Sequence, residues 1–445
     1  MPWKTLALSF CAWKSLLFVL AALCPGPGYD TSAFVLFDSS TQRHDEFSSM
    51  SRASRFLLNL LRWDAVYFVQ AAEHGKLHEQ EWAFSWVYSR LLSLTGQYVF
   101  RCEECPLQCY VVAGIVISNL CHLCSAFILY HLVILIVERP ERHQIALVAS
   151  VLHILTPAAL FLAAPYAEAL FSLLNFGGIL MYAQSKLHEP SRTQTLVKDA
   201  LKLCSGLCFA TACLIRSNGL LSGLIFLFDL VGQLASLKPA SWNAQSCRRA
   251  VVTCTAGTLV LLGFIAPQYL AYLEFCVGDP HSVRPWCKKA LPSIYSWVQS
   301  HYWNVGLFHY WTLSNLPLFV MATPMLWILV ASSSAVLYDG LRTVTQDVKA
   351  DDAISLALPV HRLPELAVPQ LILALTAFTS FHVQIVNRIA SGYPTWYVML
   401  ATLLVDARSK APAAKSLGQR QWFVRGMIIY GLVQSTLFAN FLPPA

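Results

Sequence analysis

Charge is scarce in this sequence. Only 12% of its 445 residues are Asp, Glu, Lys or Arg, against roughly 25% in an average soluble protein, while 56% are hydrophobic. That balance excludes an ordinary soluble domain and implies an integral membrane protein. Dense Lys/Arg stripes with interleaved aromatics are also missing, so the formal net charge of +7 does not indicate nucleic acid. The basic residues fall in loops between apolar runs, where they orient a membrane chain. No internal repeat, low-complexity tract or second soluble domain is present, and the chain reads as one polytopic domain over 1–445. A clear signal-peptide cleavage site is lacking too. The first apolar run, "TLALSFCAWKSLLFVLAALC", contains Lys14 and leads into "PGPG", so it reads as a retained anchor.

What is there is a series of apolar runs close to the ~20 residues that a membrane-spanning helix needs. They lie at about 4–24, 110–137, 144–163, 167–183, 203–216, 219–234, 250–273, 312–337, 367–386, 393–407 and 422–442. The fold class is therefore all-α and polytopic, with about eleven transmembrane helices. A cytosolic N-terminus puts most Lys and Arg into cytosolic loops, as the positive-inside rule expects. The opposite, lumenal face receives a large first loop (25–109), a second large loop (274–311), and the turns near Arg216 and Arg388. Within the first loop, 53–72 is amphipathic and 82–100 is aromatic with an internal arginine. Counting 82–100 as a span would invert every later loop, so it reads as an interfacial or re-entrant helix.

The fourteen cysteines are too scattered for a zinc site. The CxxC of "RCEECPLQC" has no histidine nearby to complete a tetrahedral set. Metal ligands are therefore none, and a divalent-metal requirement is neither implied nor excluded. Cys276 and Cys287 share the second lumenal loop and read as a short disulfide ring rather than free thiols.

Asp64, in "NLLRWDAVYFVQAAEHG", is the main candidate for chemistry. A carboxylate at the water-facing end of apolar structure suits a base for a sugar or lipid hydroxyl. It equally suits an N-cap opening the helix that follows. Arg216 interrupts one apolar run and Arg388 ends another. Arginines at such depth meet an anion or line a cavity, and two of them could hold a phosphate bidentately. Taken singly, either could instead snorkel to the interface. Glu168 follows Pro157 and Pro165 at a turn, as a site residue or a solvated turn residue. Trp63, His74, Glu81, Asn218 and His382 complete the candidate substrate-binding set.

Several strings together resemble the GPI mannosyltransferase 2 family, in matching order from about residue 56 to 400. They are "RWDAVYFVQAAEHG" with "EQEWAF", "TPAALFLAAPYAEALFSLL", "RSNGL", "FC" through "RPWC", "YWNVGLFHYWTLSNLPLF", and "HVQIVNR" followed by "PTWYVML". Where animal members resemble "FAFFPGFP", this chain has "WAFSWVYSRLL", a form that looks like the fungal branch. The resemblance implies a GT-C type fold and an endoplasmic reticulum enzyme. It would transfer the second mannose, in α-1,6 linkage, from dolichyl-phosphate mannose to a GPI precursor glycolipid. A β-linked donor and an α-linked product imply inversion. Asp64 would then take the proton of the acceptor's 6-hydroxyl while Arg216 and Arg388 neutralise the departing phosphate. The expected partners are the donor, the glycolipid acceptor and the membrane lipids, with room for a small membrane accessory subunit. Two other classes compete. A polytopic transporter or flippase should show two related halves, and none is seen. A non-catalytic scaffold would tolerate loss of Asp64.

Overall fold

The computed structural model describes residues 2–26, 28–41, 50–100, 106–187, 194–235, 243–277, 284–345, 362–409 and 414–442. The described residues are helical throughout, without strands. The principal helices are α1 (Pro2–Leu23), α2 (Ser32–Thr41), α3 (Arg52–Leu60), α4 (Asp64–His74), α5 (Trp86–Leu94), α6 (Pro106–Ile136), α7 (Arg142–Ile154), α8 (Glu168–Leu187), α9 (Gln194–Ile215), α10 (Gly223–Ala235), α11 (Ala244–Tyr272), α12 (Ile294–His301), α13 (Leu316–Thr345), α14 (Val368–Thr379), α15 (Thr395–Ser409) and α16 (Ala414–Ala439). Each of the eleven apolar runs contains one of these helices.

Six stretches among the described residues are long and apolar enough to cross a membrane unaided: Pro2–Leu23, Leu107–Ile136, Ser217–Ala235, Ala244–Val277, Leu313–Gly340 and Gln421–Ala439. The runs at 144–163 and 367–386 are broken rather than continuous. α7 stops before Pro157, because the residue preceding a proline is pushed out of the helical region, and a short 3-10 turn follows at Ala159–Leu162. After α14 the chain makes two short turns at Val383–Ile385 and Val386–Ile389. α5, with nine residues, rises only about 14 Å and is too short to span a bilayer.

Close helix contact relies on small residues where α9 meets α11. A Cβ on Gly263 would lie 2.4 Å from the Ala210 carbonyl oxygen, and one on Gly206 would lie 2.9 Å from the Ala256 backbone. Apolar solvent offers helices no hydrophobic reason to associate, so such close approach is a main source of adhesion. This contact fixes the end of α9, where Arg216 follows. Lys14, buried in α1, donates to the Leu162 carbonyl at 2.8 Å.

Charged side chains inside the helical body gather at two levels. Glu168 opens α8, and Lys186 lies near its other end, about 27 Å away along the axis at 1.5 Å per residue, close to the ~30 Å of a hydrocarbon core. At the Lys186 level, Asp229 is held by Lys186 at 2.6 Å and by Lys202 at 2.9 Å, while Glu365 accepts from the Tyr182 hydroxyl at 2.6 Å. The Glu168 level holds the site described next.

Beside that level, Cys276 and Cys287 form the expected disulfide, with Cα atoms 5.6 Å apart. The second loop, which it staples near its start, docks on the first loop through Glu79. The Glu79 carboxylate accepts from the Trp286 indole at 3.0 Å, the Trp297 indole at 3.2 Å and the Tyr302 hydroxyl at 3.3 Å.

Candidate active site

Asp64 is the first residue of α4, not its N-cap. The N-cap is Trp63, which makes no side-chain cap bond, so the capping reading of Asp64 is revised. The carboxylate turns instead to Arg388, whose Nη2 lies 2.8 Å from Asp64 Oδ2. The first helical turn favours negative charge there through its amide dipoles. Glu168 stands in the same relation to α8.

The backbone that presents Asp64 is strained. Trp63 has φ of 51°, a region that a bulky non-glycine residue occupies only when its surroundings impose it. Two contacts impose it here. Arg62 is fully buried and donates to the Ala439 carbonyl and to Asn59 Oδ1, while the Trp63 ring packs 4.7 Å from Phe441. The Tyr166 hydroxyl, donating to the Arg62 carbonyl at 2.8 Å, closes the turn from the other side. The end of α16 thus holds a loop almost the whole chain away in sequence.

Three ion pairs join the four charged candidates in a row. Asp64 meets Arg388. Arg388 Nε lies 2.8 Å from Glu168 Oε1, and Arg216 Nη1 donates to the same Oε1 at 2.8 Å. Glu168 is 2% exposed, Arg388 11% and Asp64 23%. Glu168 is therefore not a solvated turn residue, and neither arginine snorkels alone. Phe161 and Tyr166 lie against Arg388, with ring centroids 5.0 and 5.6 Å from its guanidinium carbon.

Bonding in this row is incomplete. Glu168 Oε2 is buried without a hydrogen-bond partner, and the Arg388 Nε–H is not aligned on any acceptor. Buried polar groups are normally satisfied, so these atoms mark a place where an incoming hydroxyl or phosphate oxygen would complete the bonding. Space exists on both sides. A crevice of about 290 Å³ beside Arg388 is lined by Phe161, Asn387, Tyr430 and Gln434. A larger open pocket of about 470 Å³ lies behind Arg216, between Trp82, Ser85, Gln268 and Tyr295.

The remaining candidates are spread around this row. Asn218 exchanges hydrogen bonds with the Tyr393 hydroxyl, just past Arg216. Trp63 adjoins Asp64, with its indole nitrogen buried and unbonded. His382 stacks on Tyr310 and bonds the Trp303 carbonyl at 3.0 Å, docking the second loop on the segment that carries Arg388. Glu81 accepts from the Leu77 and His78 amides and shapes the turn after α4. His74 is exposed beside Glu73 at the far end of α4. The structure thus brings Asp64, Glu168, Arg216 and Arg388 together and leaves Glu81 and His74 outside the row. Phe161, Tyr166 and Lys76 were not among the candidates. The first two sit inside the proline-broken "TPAALFLAAPYAEALF", where two prolines around small residues signal a buried turn.

A family model described as Mannosyltransferase (PIG-V) matches residues 4–445. A protein named GPI mannosyltransferase 2 from Aspergillus oryzae is 38% identical over 452 residues, covering 100% of this chain and 96% of that one. Its namesake from Aspergillus fumigatus is 37% identical over 448 residues, covering 100% and 94%. Among solved structures, the apo oligosaccharyltransferase of Archaeoglobus fulgidus superposes with a TM-score of 0.48 and 12% identity, over 97% of this chain and 56% of that chain.

Proposed function

The chain belongs to the PIG-V family of mannosyltransferases, and from that premise we propose that it adds the second mannose, in α-1,6 linkage, to the GPI precursor. The donor is dolichyl-phosphate mannose and the acceptor is mannosylated glucosaminyl-phosphatidylinositol. The reaction takes place on the lumenal side of the endoplasmic reticulum membrane. One observation carries this reading: a partly exposed carboxylate, Asp64, is paired with a largely buried arginine in a row of charges that runs between two pockets.

In this scheme the acceptor's 6-hydroxyl approaches Asp64 and gives up its proton to the carboxylate. Its oxygen attacks the anomeric carbon of the donor from the face opposite the phosphate, which inverts the configuration. The bond to dolichyl phosphate breaks, and the phosphate leaves with the electron pair. Arg388 has a double part. In the free site it holds the Asp64 carboxylate in an ion pair at 2.8 Å. A phosphate arriving in the crevice competes for the guanidinium, loosens the pair and frees the Asp64 carboxylate to meet the acceptor's hydroxyl. Arg216 and Glu168 fix Arg388 in place, and the strained turn at Trp63 keeps the Asp64 carboxylate at the mouth of the row. This role for a side chain held by tertiary contacts fits the need for a preorganised site.

The test is complementation. Cells lacking second-mannose transfer accumulate a one-mannose precursor, and expression of this chain is expected to clear it. Persistent accumulation with the protein present in the membrane would refute the proposal.

A further inference from the structure

We propose that the pocket behind Arg216 is an anion subsite for a lipid-linked phosphate ester, and that Lys76 is the cation that makes it one. The identity of the ligand rests on the functional reading above.

Asp64 and Glu168 balance Arg216 and Arg388, and Arg388 is already given to the donor's phosphate, so a second phosphate needs a cation beyond the row. The cation on the Arg216 side is Lys76, in the turn after α4, which lines the same pocket as Arg216. Its ammonium donates to the Phe84 carbonyl at 3.0 Å and lies 4.6 Å from the centre of the Trp82 ring. Among the described residues no carboxylate comes within ion-pair distance of it. A compact ammonium on a flexible stem, left with one carbonyl and an aromatic face, is a point-charge binder awaiting an anion.

The pocket around it is built rather than incidental. Ser85 caps α5 and donates to the Leu214 carbonyl at 2.8 Å, tying the first loop to the end of α9. Ser217 donates to the Tyr295 hydroxyl at 2.6 Å, and Gln268 accepts from the Tyr295 amide at 3.0 Å. Trp82 and Tyr295 provide ring faces and a hydroxyl suited to a cyclic polyol.

Position selects the acceptor's phosphodiester over the donor's phosphate. Asp64 and Lys76 flank opposite ends of α4, whose eleven residues rise about 16 Å. The donor's phosphate must depart beside the reacting hydroxyl. The acceptor's phosphodiester lies beyond mannose, glucosamine and inositol, a separation of that order.

Lys76 also carries a titration signature. Burial pulls its ammonium down to about 7, against the opposing pull of Glu81 and Glu274. Tyr295, pushed up by burial, stays neutral. A phosphodiester does not titrate near neutrality, so binding should be strongest below pH 7 and weaken above it as Lys76 loses its proton.

The test is equilibrium binding of radiolabelled phosphatidylinositol and, separately, dolichyl phosphate to the purified chain in detergent, at pH 6 and pH 8.5, with diacylglycerol as a neutral control. Phosphatidylinositol should bind up to about tenfold more weakly at pH 8.5 than at pH 6, because Lys76 is mostly protonated at the lower pH and mostly neutral at the higher. Lys76→Met should lose about tenfold at pH 6 and leave dolichyl phosphate unaffected. Lys76→Arg, which retains charge at both pH values, should bind equally at the two. Unchanged phosphatidylinositol affinity in Lys76→Met, or the same pH dependence in Lys76→Arg, would overturn the subsite. Weakened binding of dolichyl phosphate alone would overturn its assignment to the acceptor. These readouts do not depend on turnover, so a wild-type chain that binds but transfers no mannose would count against the functional reading and not against the subsite.

Discussion

Replacing Asp64 by asparagine is expected to lower mannose transfer by roughly 100- to 10,000-fold, the range for loss of a general base, with little loss of folded protein. The substitution keeps shape and removes the proton acceptor. It also removes one of the two anions that face Arg388, but Glu168 Oε1 remains 2.8 Å from that guanidinium, so the arginine stays compensated. If Asp64 served only to anchor Arg388, the variant would be less stable yet turn over normally per folded molecule. Measuring transfer and melting temperature on the same purified preparation separates the two roles. A normal rate per folded molecule would remove Asp64 from the chemistry.

The second large effect concerns stability. Glu168 is the shared counter-ion of Arg216 and Arg388, and its side chain is 2% exposed. Glu168→Gln leaves two guanidiniums beside a neutral amide, with Asp64 reaching only one of them. Breaking a buried pair by removing one partner typically costs 3–5 kcal/mol. We expect a loss of about 3 kcal/mol, read as a melting temperature lower by roughly 5 °C in detergent. Adding Arg216→Met should recover part of the loss, because the uncompensated cation is gone and contacting residues are not additive. A melting temperature unchanged by Glu168→Gln would mean that the row of ion pairs does not form.

Much of the architecture was legible in hydropathy alone, because a bilayer leaves the chain so few choices. The eleven apolar runs each carry a helix, and "TPAALFLAAP" announced its own break through its prolines. The Cys276–Cys287 bridge was legible from shared loop and spacing. The candidate site was legible as four charged residues at the same ends of apolar runs, but not as a row. Asp64 and Arg388 lie in distant parts of the chain, and no local period relates them. Only the packing of α4, α8 and the 383–389 turns puts them 2.8 Å apart.

The reading of Asp64 as an N-cap failed for a related reason. The helix starts at Asp64 itself because Trp63 is forced to positive φ by Phe441 and by the grip of Ala439 on Arg62, contacts made by the far end of the chain. Lys76 sits inside "EHGKLHEQE", a polar string with no local pattern that marks it as a ligand. Its ammonium folds back onto Phe84 and Trp82. Glu81, expected near substrate, spends an oxygen on the amides of that same turn.

On the proposed function, this chain by itself joins mannose from a lipid phosphate to a GPI precursor. The most direct measurement presents the purified chain with dolichyl-phosphate mannose labelled in its sugar and with the one-mannose acceptor, and follows the label. The account predicts a labelled two-mannose glycolipid whose label is released by an α-1,6-specific mannosidase. Label that stays on dolichyl phosphate, with the protein folded and both lipids present, would contradict it.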